Sequence, residues 1–127
     1  MRKLNPISEN LDESGIPVEE SLLLEMANAI QKYTGLPGVI YFCTKEEVSN
    51  PQAKALGRVK WLNAGEETFI SIKADKDGRR KCGGDKRSVA TLERFVIANE
   101  DLLWTYWNTP KDQADSASTM RAFAKLT

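Results

Sequence analysis

The residues best suited to chemistry lie in a basic stretch between Ala74 and Arg87. Three glycines in this stretch let the backbone approach a phosphate closely, and arginine side chains bind phosphate through paired hydrogen bonds. No GxxxxGK[ST] pattern is present, which excludes a P-loop. The cations fit a solvated loop equally well, because three aspartates of the same stretch are available to pair with them. The sequence leaves both readings open for six anion-binding or partner-binding candidates: Lys76, Arg79, Arg80, Lys81, Lys86 and Arg87.

Large aromatic side chains form a second candidate surface. Trp104, Tyr106 and Trp107 crowd one helical turn, and three large rings cannot all enter the core from such close positions. Because Trp and Tyr are enriched at binding hot spots, an outward ring is a candidate anchor for a partner protein. The same ring also fits packing beneath the C-terminal segment, against Met120 or Phe123. The candidate anchors are Trp61, Trp104, Tyr106 and Trp107, and an exposed Trp61 or Tyr41 also suits stacking on a nucleic-acid base.

The catalytic repertoire is narrow. Histidine is absent, which excludes Ser-His-Asp triads, histidine bases and imidazole metal sites. The two cysteines form no CxxC motif, so neither a zinc cluster nor a redox dithiol is indicated. Cys43 lies in an apolar run and is predicted to be a reduced core residue, whereas Cys82 follows three cations and fits either a reactive thiolate or an ordinary exposed cysteine. We expect no catalytic residues, no metal, no cofactor and no enzymatic activity.

Length and charge favour one soluble domain. The 127 residues suit a single core, and 18 Lys and Arg balance 18 Asp and Glu, so no global field favours nucleic acid or an anionic membrane. Residues 1–15 are polar and turn-rich, which predicts a flexible acidic arm, and the nearby carboxylates of Asp12, Glu13, Glu19 and Glu20 oppose the charge of residues 76–87. No signal peptide and no apolar run of membrane length is present, so we expect a cytoplasmic protein without membrane contact.

The hydrophobic pattern predicts the order of helices and strands. Leu23, Met26, Ala27, Ile30 and Tyr33 recur at helical spacing, which predicts a helix over about residues 18–33. A β-branched and aromatic run predicts a central strand covered on both faces, and two alternating runs predict a hairpin. The remaining predictions are strands over 39–44, 58–62 and 68–73, a long helix capped by Ser88, interrupted at 99–101 and ended by Pro110, and a short helix within 116–126.

These elements predict a small single-domain α+β fold over residues 1–127. An N-terminal helix precedes a three-stranded, mostly antiparallel sheet with a hairpin. The long helix and the short C-terminal helix pack on this sheet, with residues 111–127 forming a C-terminal extension.

One segment resembles a known group of proteins. It combines the strand Phe69–Ile72, the link Gly83-Gly84-Asp85 and a helix with two leucines that closes on Trp107-Asn108. Over about residues 68–108, this pattern is similar to small bacterial domains of unknown function that are often encoded near toxin–antitoxin or other mobile loci. Many members carry a Pro-His-Phe-His cluster ahead of the hairpin. This chain has Asn50-Pro51-Gln52-Ala53 there, so no role of those histidines is carried over.

Two functions follow as expectations. The first is a protein-binding module, an antitoxin-like or inhibitor-like accessory of a bacterial or mobile-element system. The alternative is a nucleic-acid-binding protein that uses the loop 76–87 and aromatic residues of the sheet. A partner protein is the principal expectation, and a homodimer remains open.

Overall fold

The computed structural model describes residues 26–126. In this part of the chain, five strands and five α-helices form a small α+β fold. The strands form one antiparallel sheet in the order β1-β2-β3-β4-β5. The elements in chain order are β1 (Ala27–Ile30), α1 (Gln31–Thr34), β2 (Val39–Phe42), α2 (Pro51–Leu56), β3 (Val59–Asn63), β4 (Glu66–Ile70), β5 (Cys82–Gly83), α3 (Lys86–Ala98), α4 (Glu100–Trp107) and α5 (Ser116–Arg121).

The predicted interior strand and hairpin are confirmed. β2 lies between β1 and β3, and β3 pairs with β4 through a two-residue turn. Ala64 and Gly65 of this turn have φ angles of 54° and 81°, the left-handed values that a type I′ turn requires at both central positions. Such a turn matches the natural twist of the two strands, so the register follows from the local sequence.

The predicted N-terminal helix over 18–33 is wrong where the structure describes it. Residues 18–25 lie outside the described residues, as does the predicted acidic arm 1–15. Ala27–Ile30 form a strand that pairs with β2, and only Gln31–Thr34 form a helical turn. The apolar residues of this segment fit both periodicities, and strand pairing satisfies the backbone groups along that edge of β2. This added strand is one reason why the prediction of three strands was too low.

Two further corrections concern the segment between β4 and α3. Part of the predicted loop 74–87 forms β5, which pairs with the end of β4. The helix begins at Lys86 and is capped by Asp85, not by Ser88. The Asp85 carboxylate accepts hydrogen bonds from the Ser88 backbone N–H and hydroxyl, each at 2.9 Å. Because these bonds favour the ionised form, the pKa of Asp85 is lowered.

The predicted interruption of the long helix is confirmed at Asn99, between α3 and α4. The buried Asn99 side chain donates to the Phe95 and Ala124 carbonyls, each at 3.0 Å, and accepts from the Ala124 N–H at 2.7 Å. One side chain therefore fixes both the helix break and the path of the C-terminal segment. The predicted C-terminal helix is confirmed in a shorter form, Ser116–Arg121.

The helices and one face of the sheet share a single hydrophobic core. We call the sheet face that contributes Ile40, Phe42, Val59, Trp61 and Ile70 the inner face. The helical side chains of the same core are Leu92, Phe95, Val96, Leu103 and Trp107. Phe123 completes the core, with its ring edge-on to those of Phe42 and Phe95 at centroid distances of 5.5 and 5.2 Å.

Candidate functional site

The opposite face of the sheet presents two rows of side chains, which together we call the outer face. Antiparallel pairing places directly opposed residues on the same face, so the register defines each row. The first row is Ile30, Val39, Leu62 and Glu67, and the second is Asn28, Tyr41, Lys60 and Phe69.

Apolar side chains on the outer face lie outside the core. Ile30 is 49% exposed, and Val39, Leu62 and Phe69 are partly buried. None of these four belongs to the core cluster or to the partly buried hydrophobic residues that pack against it. In the described part of the chain, the aromatic and aliphatic contacts of α3, α4 and the C-terminal segment are made with the inner face. The outer face is therefore an apolar surface that α3, α4 and the C-terminal segment do not cover.

A charge pair divides this surface. Lys60 Nζ lies 3.2 Å from Glu67 Oε2, and the Lys60 side chain is only 13% exposed. Its methylene groups therefore lie within the surface, between the flanking strands. The pair places polar atoms beside the row of Ile30, Val39 and Leu62. A partner must satisfy or avoid this pair, which gives the surface specificity as well as apolar area.

A groove of about 400 Å³ runs along the end of this face. Its lining includes Met26, Cys43, Glu47, Arg58 and Lys60. Burial raises the pKa of the Cys43 thiol to about 12, with the negative charge of Glu47 adding to the effect. Cys43 is thus a protonated, buried thiol, which confirms its prediction as a reduced core residue.

The second row ends at Phe69 on β4, and we call Phe69, Arg58 and Lys81 the cationic corner. The Arg58 guanidinium carbon lies 5.2 Å from the centroid of the Phe69 ring. The ring covers Gly83 of β5, where a Cβ atom would collide with it. Lys81 is exposed and lines a small cavity of about 30 Å³ together with Arg58 and Phe69. The stacked guanidinium and the nearby ammonium group suit an anionic or aromatic ligand.

The six predicted cations of residues 76–87 divide into two groups. Arg80 is held by the fold, because its Nη2 donates to Glu100 Oε1 at 3.0 Å and its Nε donates to the Ile72 carbonyl at 3.3 Å. The predicted pairing with Asp75, Asp77 and Asp85 is wrong for Arg80. Its ionic partners are Glu93 of α3 and Glu100 of α4. The other five, Lys76, Arg79, Lys81, Lys86 and Arg87, are exposed.

Aspartates shape this loop through its backbone. The Asp75 carboxylate accepts from the backbone N–H groups of Asp77 and Arg79 at 2.9 and 3.0 Å. The bond from Arg79 is the main cause of the lowered pKa of Asp75. The Asp75 carboxylate therefore orders this loop, and the cations other than Arg80 are exposed.

The predicted aromatic anchors are mostly internal. Trp61 is 5% exposed and its Nε1 donates to the Pro37 carbonyl at 2.7 Å, so the expectation of an exposed Trp61 was wrong. Trp107 is fully buried and donates to the Lys54 carbonyl at 3.2 Å. Trp104 is partly buried beneath Lys73 Nζ, 5.4 Å from the ring centroid. Alternation places Trp61 on the inner face opposite Ile40, which explains its burial.

Tyr106 packs under the C-terminal segment rather than projecting outward. Its ring lies edge-on to Phe42 at a centroid distance of 4.9 Å. Burial is the main cause of the raised pKa of its phenol. Of the four predicted anchors, Trp61 and Trp107 are buried, and Trp104 and Tyr106 are partly buried and already pack against the core.

Sequence reasoning did not identify Ile30, Val39, Leu62 and Phe69 as site residues. The sequence did contain one signal of an apolar outer face: residues 39–44 are apolar on both faces, which predicted a strand covered on both sides. In residues 26–126, α3, α4 and the C-terminal segment cover the inner face. The same residues contain no group of three metal-ligating side chains, and no helix among them is long and apolar enough to cross a membrane.

Comparisons with protein-family models, with curated proteins and with solved structures found no match to this chain.

Proposed function

We propose that this chain is a non-enzymatic protein-binding module that docks its partner on the outer face of the sheet. The observation that carries this proposal is the set of four apolar side chains, Ile30, Val39, Leu62 and Phe69, that lie on one face outside the core. Three of them, Ile30, Val39 and Leu62, are directly opposed on neighbouring strands, and contiguous apolar surface marks interaction sites in soluble proteins.

A protein is favoured over a nucleic acid as the ligand of this face. The row of Ile30, Val39 and Leu62 offers aliphatic branches and no phosphate-binding cation. Protein interfaces combine apolar area with polar contacts, and here the Lys60–Glu67 pair beside this row supplies polar groups. The partner we propose therefore carries an apolar patch with polar groups at its margin.

The biological setting we propose rests on the resemblance of residues 68–108 to small bacterial domains near toxin–antitoxin or mobile loci. A cytoplasmic accessory that occupies the surface of a toxin or enzyme needs an apolar docking face and no catalytic group. The absence of histidine from the chain accords with such a role.

The test is a pull-down from the native host with the tagged full-length chain and two matched variants. Ile30→Thr combined with Leu62→Thr removes apolar surface from the outer face and places threonine, a residue that favours strands, at both positions. Ile97→Thr is the control, because Ile97 is 55% exposed on α3, away from this face. Each outer-face side chain is expected to contribute about 1 kcal/mol or more, so the double variant should bind at least tenfold more weakly, by roughly the arithmetic of hot spots.

The conditions of the pull-down separate the partner classes. A protein complex that survives nuclease and high salt, is lost in the double variant and is retained in Ile97→Thr supports the proposal. Equal retention in both variants contradicts it. Sedimentation of the purified chain over a range of concentrations identifies the case in which the partner is a second copy.

A specific observation favours a second candidate, binding of single-stranded nucleic acid at the cationic corner. Arg58 stacks on Phe69, and Lys81 lies beside them. Lys86 and Arg87 occupy the first turn of α3, where the helix dipole disfavours cations, so local helix stability does not explain them. We expect affinity for an oligonucleotide to fall steeply with salt and to be reduced by Lys81→Ala, whereas the protein interface depends weakly on salt.

A further inference from the structure

We propose that residues 4–25 of the same chain bind the outer face and cover it until a partner displaces them. This inference rests on the proposed function, because it names the segment that competes with the partner for the same surface. Three observations support it: where the segment joins the sheet, its charge and its apolar content.

The junction lies beside the outer face. β1 is the edge strand of the sheet, and Met26, immediately before it, lines the groove that also contains Cys43, Arg58 and Lys60. The preceding residues therefore leave the described structure next to the surface that needs a cover. Twenty-two residues in extended form reach up to about 70 Å, and a five-stranded sheet is only about 20 Å across.

Charge complementarity favours this placement. Residues 4–25 contain six carboxylates and no Lys or Arg, whereas residues 26–126 carry sixteen Lys and Arg against twelve Asp and Glu. Arg58, Lys60 and Lys111 line the groove together with Glu46 and Glu47, so cations outnumber carboxylates there, and Lys81 lies at the cationic corner beside Arg58. An acidic segment that crosses the outer face therefore lies close to cations along its path.

The third observation is the apolar content of the segment. Leu22, Leu23 and Leu24 directly precede the junction, and Ile16 and Val18 lie a few residues earlier. The facing row of Ile30, Val39 and Leu62 is apolar and outside the core. The strand at 39–42 is apolar on both faces, which is typical of a strand with cover on both sides. The chain thus contains an acidic segment with apolar residues, of suitable length, beside an apolar surface bordered by Arg58 and Lys81.

Zero-length carbodiimide cross-linking of the purified full-length chain tests this directly, because it joins carboxylates to lysines that touch them. We expect bonds from Glu9, Asp12, Glu13, Glu19 or Glu20 to Lys60 or Lys81, identified by mass spectrometry of the monomer. Cross-links from Glu25 are not counted, because Glu25 precedes Met26 of the groove directly in the chain and would be near it in any case. The Lys60–Glu67 pair, 3.2 Å apart, serves as the internal positive control, and Lys54 and Lys125 serve as lysines outside the outer face.

A charge-neutral variant separates docking from simple attraction. Leu22→Ser, Leu23→Ser and Leu24→Ser together keep all six carboxylates, and we expect them to lower the yield of these cross-links at least fivefold while the Lys60–Glu67 bond persists. Persistence of that bond also shows that the sheet has folded. Bonds spread evenly over Lys54, Lys125 and the outer-face lysines, or an unchanged yield in the variant, overturn the inference.

Mixing isotope-labelled and unlabelled chains distinguishes the segment of one chain from that of a second copy. Bonds within a single isotopic species support the proposal, whereas mixed bonds overturn it in favour of an exchanged dimer.

The affinity for the partner gives an independent readout. If the segment occupies the face about 90% of the time, the apparent affinity for the partner is about tenfold weaker. The leucine variant should therefore bind the partner about tenfold more tightly. Absent cross-links with partner binding still lost in Ile30→Thr/Leu62→Thr reject this inference alone. Present cross-links with partner binding unaffected by that double variant reject the proposed function instead.

Discussion

Arg80→Ala should destabilise the fold, although Arg80 belongs to a stretch whose other cations are exposed. The Arg80 side chain is 14% exposed, and its guanidinium contacts Glu100 Oε1 at 3.0 Å, Glu93 Oε2 at 3.6 Å and the Ile72 carbonyl at 3.3 Å. A hydrogen bond to a charged group contributes about 1.5–3 kcal/mol when buried, and an exposed ion pair contributes about 0–1 kcal/mol. Because Glu100 is 29% exposed and keeps Lys73 at 2.8 Å, we expect a loss of about 1–2 kcal/mol, between these limits.

Arg79→Ala is the matched control, since Arg79 is the exposed neighbour whose backbone, not its side chain, is bound by Asp75. Urea unfolding of the two variants measures the difference, and thermal melting should show a fall of roughly 4 °C for each kcal/mol in Arg80→Ala. Equal stability of both variants would show that the contacts of Arg80 with α3 and α4 contribute nothing. That result would mean that Arg80, like the other five cations of residues 76–87, does not stabilise the fold through its side chain.

Three further predictions concern the core and the sheet. Asn99→Ala should cost about 2–3 kcal/mol because two hydrogen bonds to Ala124 are lost. Asn108→Ala loses two exposed hydrogen bonds, one to the Trp104 carbonyl and one from Lys45 Nζ, and should cost less than about 0.5 kcal/mol in urea unfolding. Equal losses would contradict the role of Asn99 as the clamp of the C-terminal segment. Gly83→Ala should cost about 1–3 kcal/mol, because the new methyl group must displace the Phe69 ring, and an unchanged melting temperature would contradict that packing. Burial raises the pKa of Cys43 to about 12 from an ordinary 9.0. The protonated thiol therefore contributes its full stabilisation below pH 9, and this contribution is lost as the pH rises toward 12. Cys43→Ala should therefore lose less stability than the parent between pH 8 and 10.5, and identical slopes would contradict the burial of the thiol.

The parts of the fold that were predicted correctly have strong local causes. The hairpin follows from the turn at Ala64-Gly65, and the helix break follows from the polar run at Asn99. β1 and β5 were missed because their pairing is decided by distant residues. β1 is only four residues long and fits two periodicities, and β5 is two residues within a glycine-rich stretch. Long-range pairing of this kind leaves little trace in a local window of sequence.

The candidate site was predicted less well than the fold. Composition identified the cations of residues 76–87, yet only the structure shows that Arg80 is turned toward the helices. The exposed anchor expected at Trp61 was wrong because strand parity places that side chain on the inner face. The outer-face row of Ile30, Val39 and Leu62 requires the register of three strands, and no single segment of sequence contains that information.

The central claim is that the outer face is the docking surface for a partner protein. The most direct measurement is retention of the captured host partner, in high salt after nuclease, by Ile30→Thr/Leu62→Thr compared with Ile97→Thr. The account predicts at least a tenfold weaker complex for the outer-face double variant and unchanged binding for the α3 control, in which Ile97 is exposed to a similar degree as Ile30. Equal binding by both variants, with both folded, would contradict the claim and would move the interaction to another surface.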